Sequence, residues 1–366
     1  MSPLEFASGL ALRHLKGAQV DALRNAYFNL RGRMAPVLKL VHGSFDTAEL
    51  RAHLQQRVGD DFQILMVHSS VNHMKPMFTG APLDMVRMLV DWCGPKRTLV
   101  MPAFYFGAPG FKGAADTFQA NPRFDLRRTP SQMGLATELF RRLPGVVTSR
   151  HPVYRMAALG PLAQALTAGH EHALSPAGLG TPFEFMARHD ARIIGIGKPM
   201  QVLTQAHHVE GAMGDDFPVP SIVQAPLPMT LIDRDQEIPF LLPRRSYQGH
   251  FNIWRLRQIM DRQTLQEWSF HHVPMFAARA GEVTQRLMDA ARRGVTLYLL
   301  HQPFFLFWGA VLRGDNRGYG NWVLVTALVA VSIAVVGTLT ENRRRGLTQW
   351  IRAQLVATRA RLAGAR

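Results

Sequence analysis

Gln63–His68 (QILMVH) is a short apolar run of the kind that forms a buried strand. Working outward from it, residues 47–58 form an amphipathic segment before the run, and residues 83–92 read as a helix after it. Thr98–Phe104 (TLVMPAF) is a second buried strand. A helix over 134–143 follows, then strand-like Ala191–Gly197 (ARIIGIG), then a helix from about Thr204. Strands that alternate with helices in this order predict an α/β domain built on a central sheet. The proline-rich stretch 217–229 reads as punctuation between two parts of that domain, and no internal repeat is visible.

Around this domain the composition narrows the options. The chain has 366 residues, 47% of them hydrophobic, which is enough for a sizeable core. Lys plus Arg outnumber Asp plus Glu by 42 to 26, a net +16. Such a balance attracts nucleic acid, anionic lipid or phosphorylated ligands, or it is a solvated surface. No nucleic-acid-binding motif accompanies the charge, so no nucleic-acid partner is expected. The single cysteine, Cys93, excludes an internal disulfide and reads as a buried thiol. Residues 12–41 read as a basic helix that Pro36 ends or kinks near its last turn. Residues 1–12 lack the long apolar core of an export signal.

The last seventy residues differ in character. Residues 322–339 (WVLVTALVAVSIAVVGTL) carry no charge over eighteen positions, near the lower limit for a membrane span. Arg343, Arg344 and Arg345 follow closely. Residues 295–312 are also apolar but contain His301, Gln302 and Pro303. A second span, a re-entrant segment, or a core strand followed by an interfacial segment all fit that stretch. Arg292 and Arg293 lie before the first apolar run and the three arginines lie after the second, so both outer ends are expected in the cytoplasm. The resulting division is a basic helical extension over 1–45, a main domain over 46–297 and a hydrophobic membrane-associated tail over 298–366. The expected location is the cytoplasmic face of the inner membrane.

Five ordered pieces of the main domain carry a resemblance. They are Val67-His68-Ser69-Ser70 directly after a strand, Thr98–Phe104, the run Met133–Gly145 with His151-Pro152 and Ala157–Pro161 after it, His172–Pro182 (HALSPAGLGTP), and IIGIG followed by Thr204, His207 and Glu210 in a T-x-x-H-x-x-E pattern. In this order and spacing the domain resembles the aminoglycoside 3-N-acetyltransferase family. The resemblance implies a central mixed sheet flanked by helices, here with a C-terminal hydrophobic helical tail. It also implies acetyl-CoA as co-substrate and an amino sugar or aminoglycoside-like acceptor.

Acyl transfer from a thioester to an amine needs a base for the acceptor's proton and donors for developing negative charge. His207 and Glu210 are spaced i, i+3, which places them on one helix face. The resemblance implies that His207 is the general base, and Glu210 would orient it. Ser69 and Ser70 read either as a turn-forming pair or as phosphate-holding hydroxyls at a strand end. The resemblance implies CoA contacts at His68, Ser69 and Ser70. His151 and His172 lie on loops bordering the same pocket and, with Tyr247, are candidates for substrate contact. Structural histidines bonded to backbone are the alternative. His170, His172, His207 and His208 match no zinc spacing, so no metal is expected.

Two departures stand out. Aminoglycoside-modifying members carry carboxylates in a strand after the catalytic helix, whereas Pro243–His250 (PRRSYQGH) has none. A basic wall repels a polycation and fits a neutral or anionic acceptor such as a nucleotide-linked or lipid-linked amino sugar. Arg155 also stands where the family has a small residue. These departures leave a non-catalytic membrane scaffold as the alternative function.

Overall fold

The computed structural model describes residues 17–248 and 250–299, with helical positions at 324, 326–328 and 331–332. The chain divides into two compact units. One is Met1–Ser246 with Ile253–Leu297, and the other is Tyr247–Asn252 with Tyr298–Arg366.

The first unit holds a seven-stranded mixed sheet. Its core strands are β1 (Ile64–Ser69), β2 (Thr98–Pro102) and β6 (Arg192–Ile196), with β1 parallel to both neighbours. Beyond β2 lie β5 (Met156–Leu159) and β4 (Val147–Thr148), each antiparallel to the last. Beyond β6 lies the hairpin of β10 (Leu265–Phe270) and β11 (Val273–Arg279), giving the order β10-β11-β6-β1-β2-β5-β4. All six residues of β1 are buried, because helices cover both faces. On one face Leu65 and Val67 pack with Leu99, Met101, Ile194 and Ile196 against Thr47–Val58 and Pro82–Cys93. The mixed sheet expected from the family resemblance is therefore present.

Local chemistry sets the element ends. Asp46 caps Thr47–Val58 by accepting from the Ala48 and Glu49 N–H groups, while Glu49 accepts from the Asp46 N–H. The expected single helix over 12–41 is instead two helices, Gly17–Arg33 and Ala35–His42, with the break at Met34. Pro36 sits in the first turn of the second helix, where its missing N–H costs nothing. Burial pushes the Cys93 thiol up to about 12, so the lone cysteine is a packed, protonated side chain.

The proline-rich stretch corrects the sequence reading. Its residues 221–229 are not punctuation but part of β7 (Ser221–Asp233), which forms a three-stranded sheet with β3 (Arg123–Asp125) and β8 (Gln236–Tyr247). β3 pairs only with Thr230, Leu231 and Ile232. Pro226 and Pro228 fall outside that pairing, where one flank of β7 needs no donor. Phe118, Phe124, Leu231 and Phe240 form a second core beneath this sheet.

In the second unit, His250–Phe251 pairs antiparallel with Tyr298–Leu299. Among the described residues no helix is long and apolar enough to cross a membrane. Most of 322–339, and 300–312 of the other apolar run, lie outside the described residues.

Candidate active site

The candidate residues gather where the parallel strands end. The Ser70 N–H donates to the Ile196 carbonyl at 2.9 Å, tying the exits of β1 and β6 together. Gly197 has φ +67°, and a Cβ there would lie 2.6 Å from the Ser70 carbonyl oxygen. Only glycine allows both the backbone conformation and that approach, which is what the last glycine of IIGIG does.

Four polar side chains cluster at this exit. Ser69 Oγ is buried with no hydrogen-bond partner among the described residues. Ser70 Oγ lies 2.7 Å from His73 Nδ1. Burial holds the His73 imidazole down at about 4, with the nearby Lys198 and Arg31 cations adding to the effect. Burial also lowers the Lys198 ammonium. Hydroxyls beside a half-desolvated lysine suit an anionic group such as a pyrophosphate.

His68 lies deeper. It is 2% exposed, and burial followed by the Lys198 charge pushes it down to about 3, so it is neutral. Its Nε2 is 3.4 Å from Thr204 Oγ1. Thr204 in turn accepts the His207 N–H on its carbonyl at 3.0 Å. His68 thus reaches the start of the next helix rather than open space.

That helix, Ala206–Met213, carries the histidine–glutamate pair. His207 Nδ1 is 3.5 Å from Glu210 Oε2. The imidazole is 31% exposed while the carboxylate is 11% exposed, so the ring is the reachable member of the pair. Tyr154 stands edge-on to His207 at 6.1 Å, and Phe104 and Phe183 pack around it. Burial and then Glu210 push the Tyr154 phenol up to about 12, so it stays protonated. Behind the helix, a Cβ on Gly211 would meet Ser175 Oγ at 2.4 Å and the Gly178 nitrogen at 2.7 Å. The SPAGLG loop therefore lies directly on the helix backbone. His208 points into that loop, its Nδ1–H donating to the Ala177 carbonyl at 2.7 Å.

The remaining candidates separate. His151 is 1% exposed, accepts on Nδ1 from the Val153 and Tyr154 N–H groups, and stacks on His170 at 4.6 Å. The ring supports Tyr154 from within. His170 is buried between Ser149 and the Pro176 carbonyl. His172 is exposed and borders a cavity of about 500 Å³. Tyr247, at the end of β8, belongs to the second unit. Among the described residues no three His, Cys, Asp or Glu side chains assemble as a metal site. Sequence reasoning missed Lys198, His73 and Tyr154. Their only local signal is adjacency to motif residues, as Lys198 directly follows IIGIG.

Arg155 is fully buried. Its guanidinium donates to the carbonyls of Ala103, Leu126 and Thr129 and lies over the Phe124 ring at 5.5 Å.

Comparison with known proteins places these residues in context. The family model described as aminoglycoside 3-N-acetyltransferase matches residues 66–292. Aminoglycoside N(3)-acetyltransferase IX of Micromonospora chalcea is 32% identical over 142 residues, covering 36% of this chain and 50% of its own. The chain spans about half the length of the first curated relatives it matches. Among solved structures, aminoglycoside acetyltransferase AAC(3)-Xa aligns with a TM-score of 0.58 at 19% identity, covering 72% of this chain and 99% of that one. AAC-IIIb, solved as a binary complex with CoASH, aligns at 0.55 and 18% identity, covering 69% and 98%. At these identities the structural likeness establishes the fold.

Proposed function

The chain belongs to the aminoglycoside 3-N-acetyltransferase family, and from that premise we propose that it transfers acetyl from acetyl-CoA to an amine of an amino sugar or aminoglycoside-like acceptor. The observation that carries this reading is the His207–Glu210 pair, whose reachable imidazole lies beside a buried carboxylate. Acetyl-CoA supplies a thioester carbonyl, the electrophile that the acceptor nitrogen attacks. His207 takes the proton that the nitrogen loses as the new C–N bond forms. Glu210, at Nδ1, orients the ring and stabilises the imidazolium that results. The thiolate that departs from the broken C–S bond takes a proton, which the imidazolium can return. Ser69, Ser70 and Lys198 are the groups for the CoA phosphates, two hydroxyls beside a partly desolvated cation at the exit of β1. We locate the reaction on the cytoplasmic side of the inner membrane.

The scaffold alternative loses one of its two grounds. Arg155, the departure from a small residue, is a buried strut bonded to backbone carbonyls.

The test is CoA release by His207→Ala against a panel of amines. A general base contributes roughly 10²–10⁴-fold. Turnover is expected to fall by at least 10²-fold, with the circular dichroism spectrum and Tm retained. Unchanged turnover in a folded variant sinks the assignment.

A further inference from the structure

The cavity of about 500 Å³ lies between the loop carrying Glu171, His172 and Leu174 and the strands β7 and β8. Its volume is that of a small-molecule site. Leu174, Phe240 and Leu241 give it apolar walls, and Arg244 and Arg245 supply its cationic edge.

The charges at that edge do not cancel. Glu171, the one carboxylate in the lining, is engaged at 3.5 Å by Arg150, which also holds Asp233 at 3.0 Å. Arg245 is paired with Asp215 at 2.7 Å. Arg244 bonds the neutral side-chain oxygen of Gln224, and no carboxylate partner for it exists among the described residues. Its Nε is buried and lacks an acceptor among the described residues. The guanidinium charge is thus met only by a neutral amide oxygen, and an anion in the cavity would pair with it.

Three packed rings stand between the cavity and His207. Phe240 stands edge-on to His151 at 5.6 Å, His151 to Tyr154 at 6.3 Å, and Tyr154 to His207 at 6.1 Å. A ligand with its anionic group at Arg244 reaches His207 only if several bonds separate that group from its amine.

We propose that this cavity holds the phosphoryl part of the acceptor, so that the acceptor is an amino sugar joined through a phosphate linkage rather than a polycationic aminoglycoside. The proposal rests on the acetyltransferase reading. A nucleoside diphosphate and a lipid diphosphate present the same chemistry to Arg244. Aminoglycosides carry several ammonium groups, and like charge at a binding wall opposes association.

The experiment measures CoA release by the full chain with four acceptors: UDP-glucosamine, a short-chain prenyl-diphosphate glucosamine, glucosamine and kanamycin. At least one phosphate-linked acceptor is expected to exceed both free amines tenfold or more in kcat/KM, and the better of the two identifies its source. Arg244→Gln should raise KM for that acceptor about tenfold with little change in kcat. In wild type at saturating acetyl-CoA, where the Ser69, Ser70 and Lys198 site is filled, inorganic pyrophosphate should compete with the acceptor, a readout that stands if the variant does not fold. Preference for kanamycin, a preference that survives Arg244→Gln, or no competition of pyrophosphate with the acceptor at saturating acetyl-CoA overturns the proposal. If no amine releases CoA, the acetyltransferase reading fails instead. Calorimetric titration with UDP-glucosamine and with the prenyl-diphosphate glucosamine then decides the cavity: tenfold weaker binding of either by Arg244→Gln supports it, and no binding of either at millimolar ligand overturns it.

Discussion

At the residue scale, Arg155 shows how a departure from a family pattern finds a local physical cause. Burial, first, and then the Arg141 charge lower this guanidinium to about 10, while Glu138 and Asp125 oppose the shift. It remains a cation at neutral pH, held by three backbone carbonyls. Arg155→Met keeps much of the volume but removes every donor. Each buried carbonyl left without a partner costs about 1–3 kcal/mol. A loss of at least about 3 kcal/mol is therefore expected in urea unfolding, with KM for acetyl-CoA unchanged in the folded fraction. A loss below about 1 kcal/mol would show that water or repacking satisfies those carbonyls. His207 and Glu210 are the opposite case. Their spacing was readable because an i, i+3 pair is fixed by the helix itself. Lys198, His73 and Tyr154 were not readable, because the fold brings them in from separate strand exits and loops. Sequence spacing gives no hint of that convergence.

At the element scale, the apolar runs located β1, β2 and β6 because strands covered on both faces have no polar alternation to hide. β7 was missed because prolines normally exclude a strand, and only the short pairing of β3 leaves room for them. The helix that carries His207 illustrates how an element is held in place. Gly211 lets the loop around Gly178 lie against its backbone. Gly211→Ala would gain about 1 kcal/mol in helix propensity. The added methyl must also push Ser175 and the Gly178 backbone aside, and overpacking of that kind costs about 1–3 kcal/mol. The clash should win, because its nearest backbone atom cannot rotate away. Displacement of the helix then moves His207, so turnover should fall at least tenfold while stability drops by about 1 kcal/mol. Gly32→Ala is the control, since nothing lies within 4 Å of that Cβ. Equal effects from the two substitutions would refute the close-packing account.

For the molecule as a whole, buried histidines set the acid limit. His68 is held at about 3 and His170 at about 4, both mainly by burial, and His151 lies well below its ordinary value for the same reason, with His170 adding to it. In the unfolded chain each takes up a proton near pH 6.5. Between that pH and the folded value the unfolded state binds more protons, so stability rises with pH and is lost as pH falls below 6.5. At pH 5 the loss is on the order of 2 kcal/mol for each such histidine. Three together approach the ~5–15 kcal/mol that holds a typical protein folded. These rings lie on both sides of the candidate site, His68 beneath Thr204 and the His151–His170 stack behind Tyr154. The same acid step should therefore unfold the chain and abolish CoA release, with no native plateau of inactive protein between. Urea midpoints at pH 7 and pH 5 test this directly, with His170→Gln expected to reduce the difference because one proton-linked site is gone. Equal midpoints at the two pH values would mean that these rings titrate in the folded protein as they do in water, and the account of a neutral, buried histidine scaffold behind His207 would fall with them.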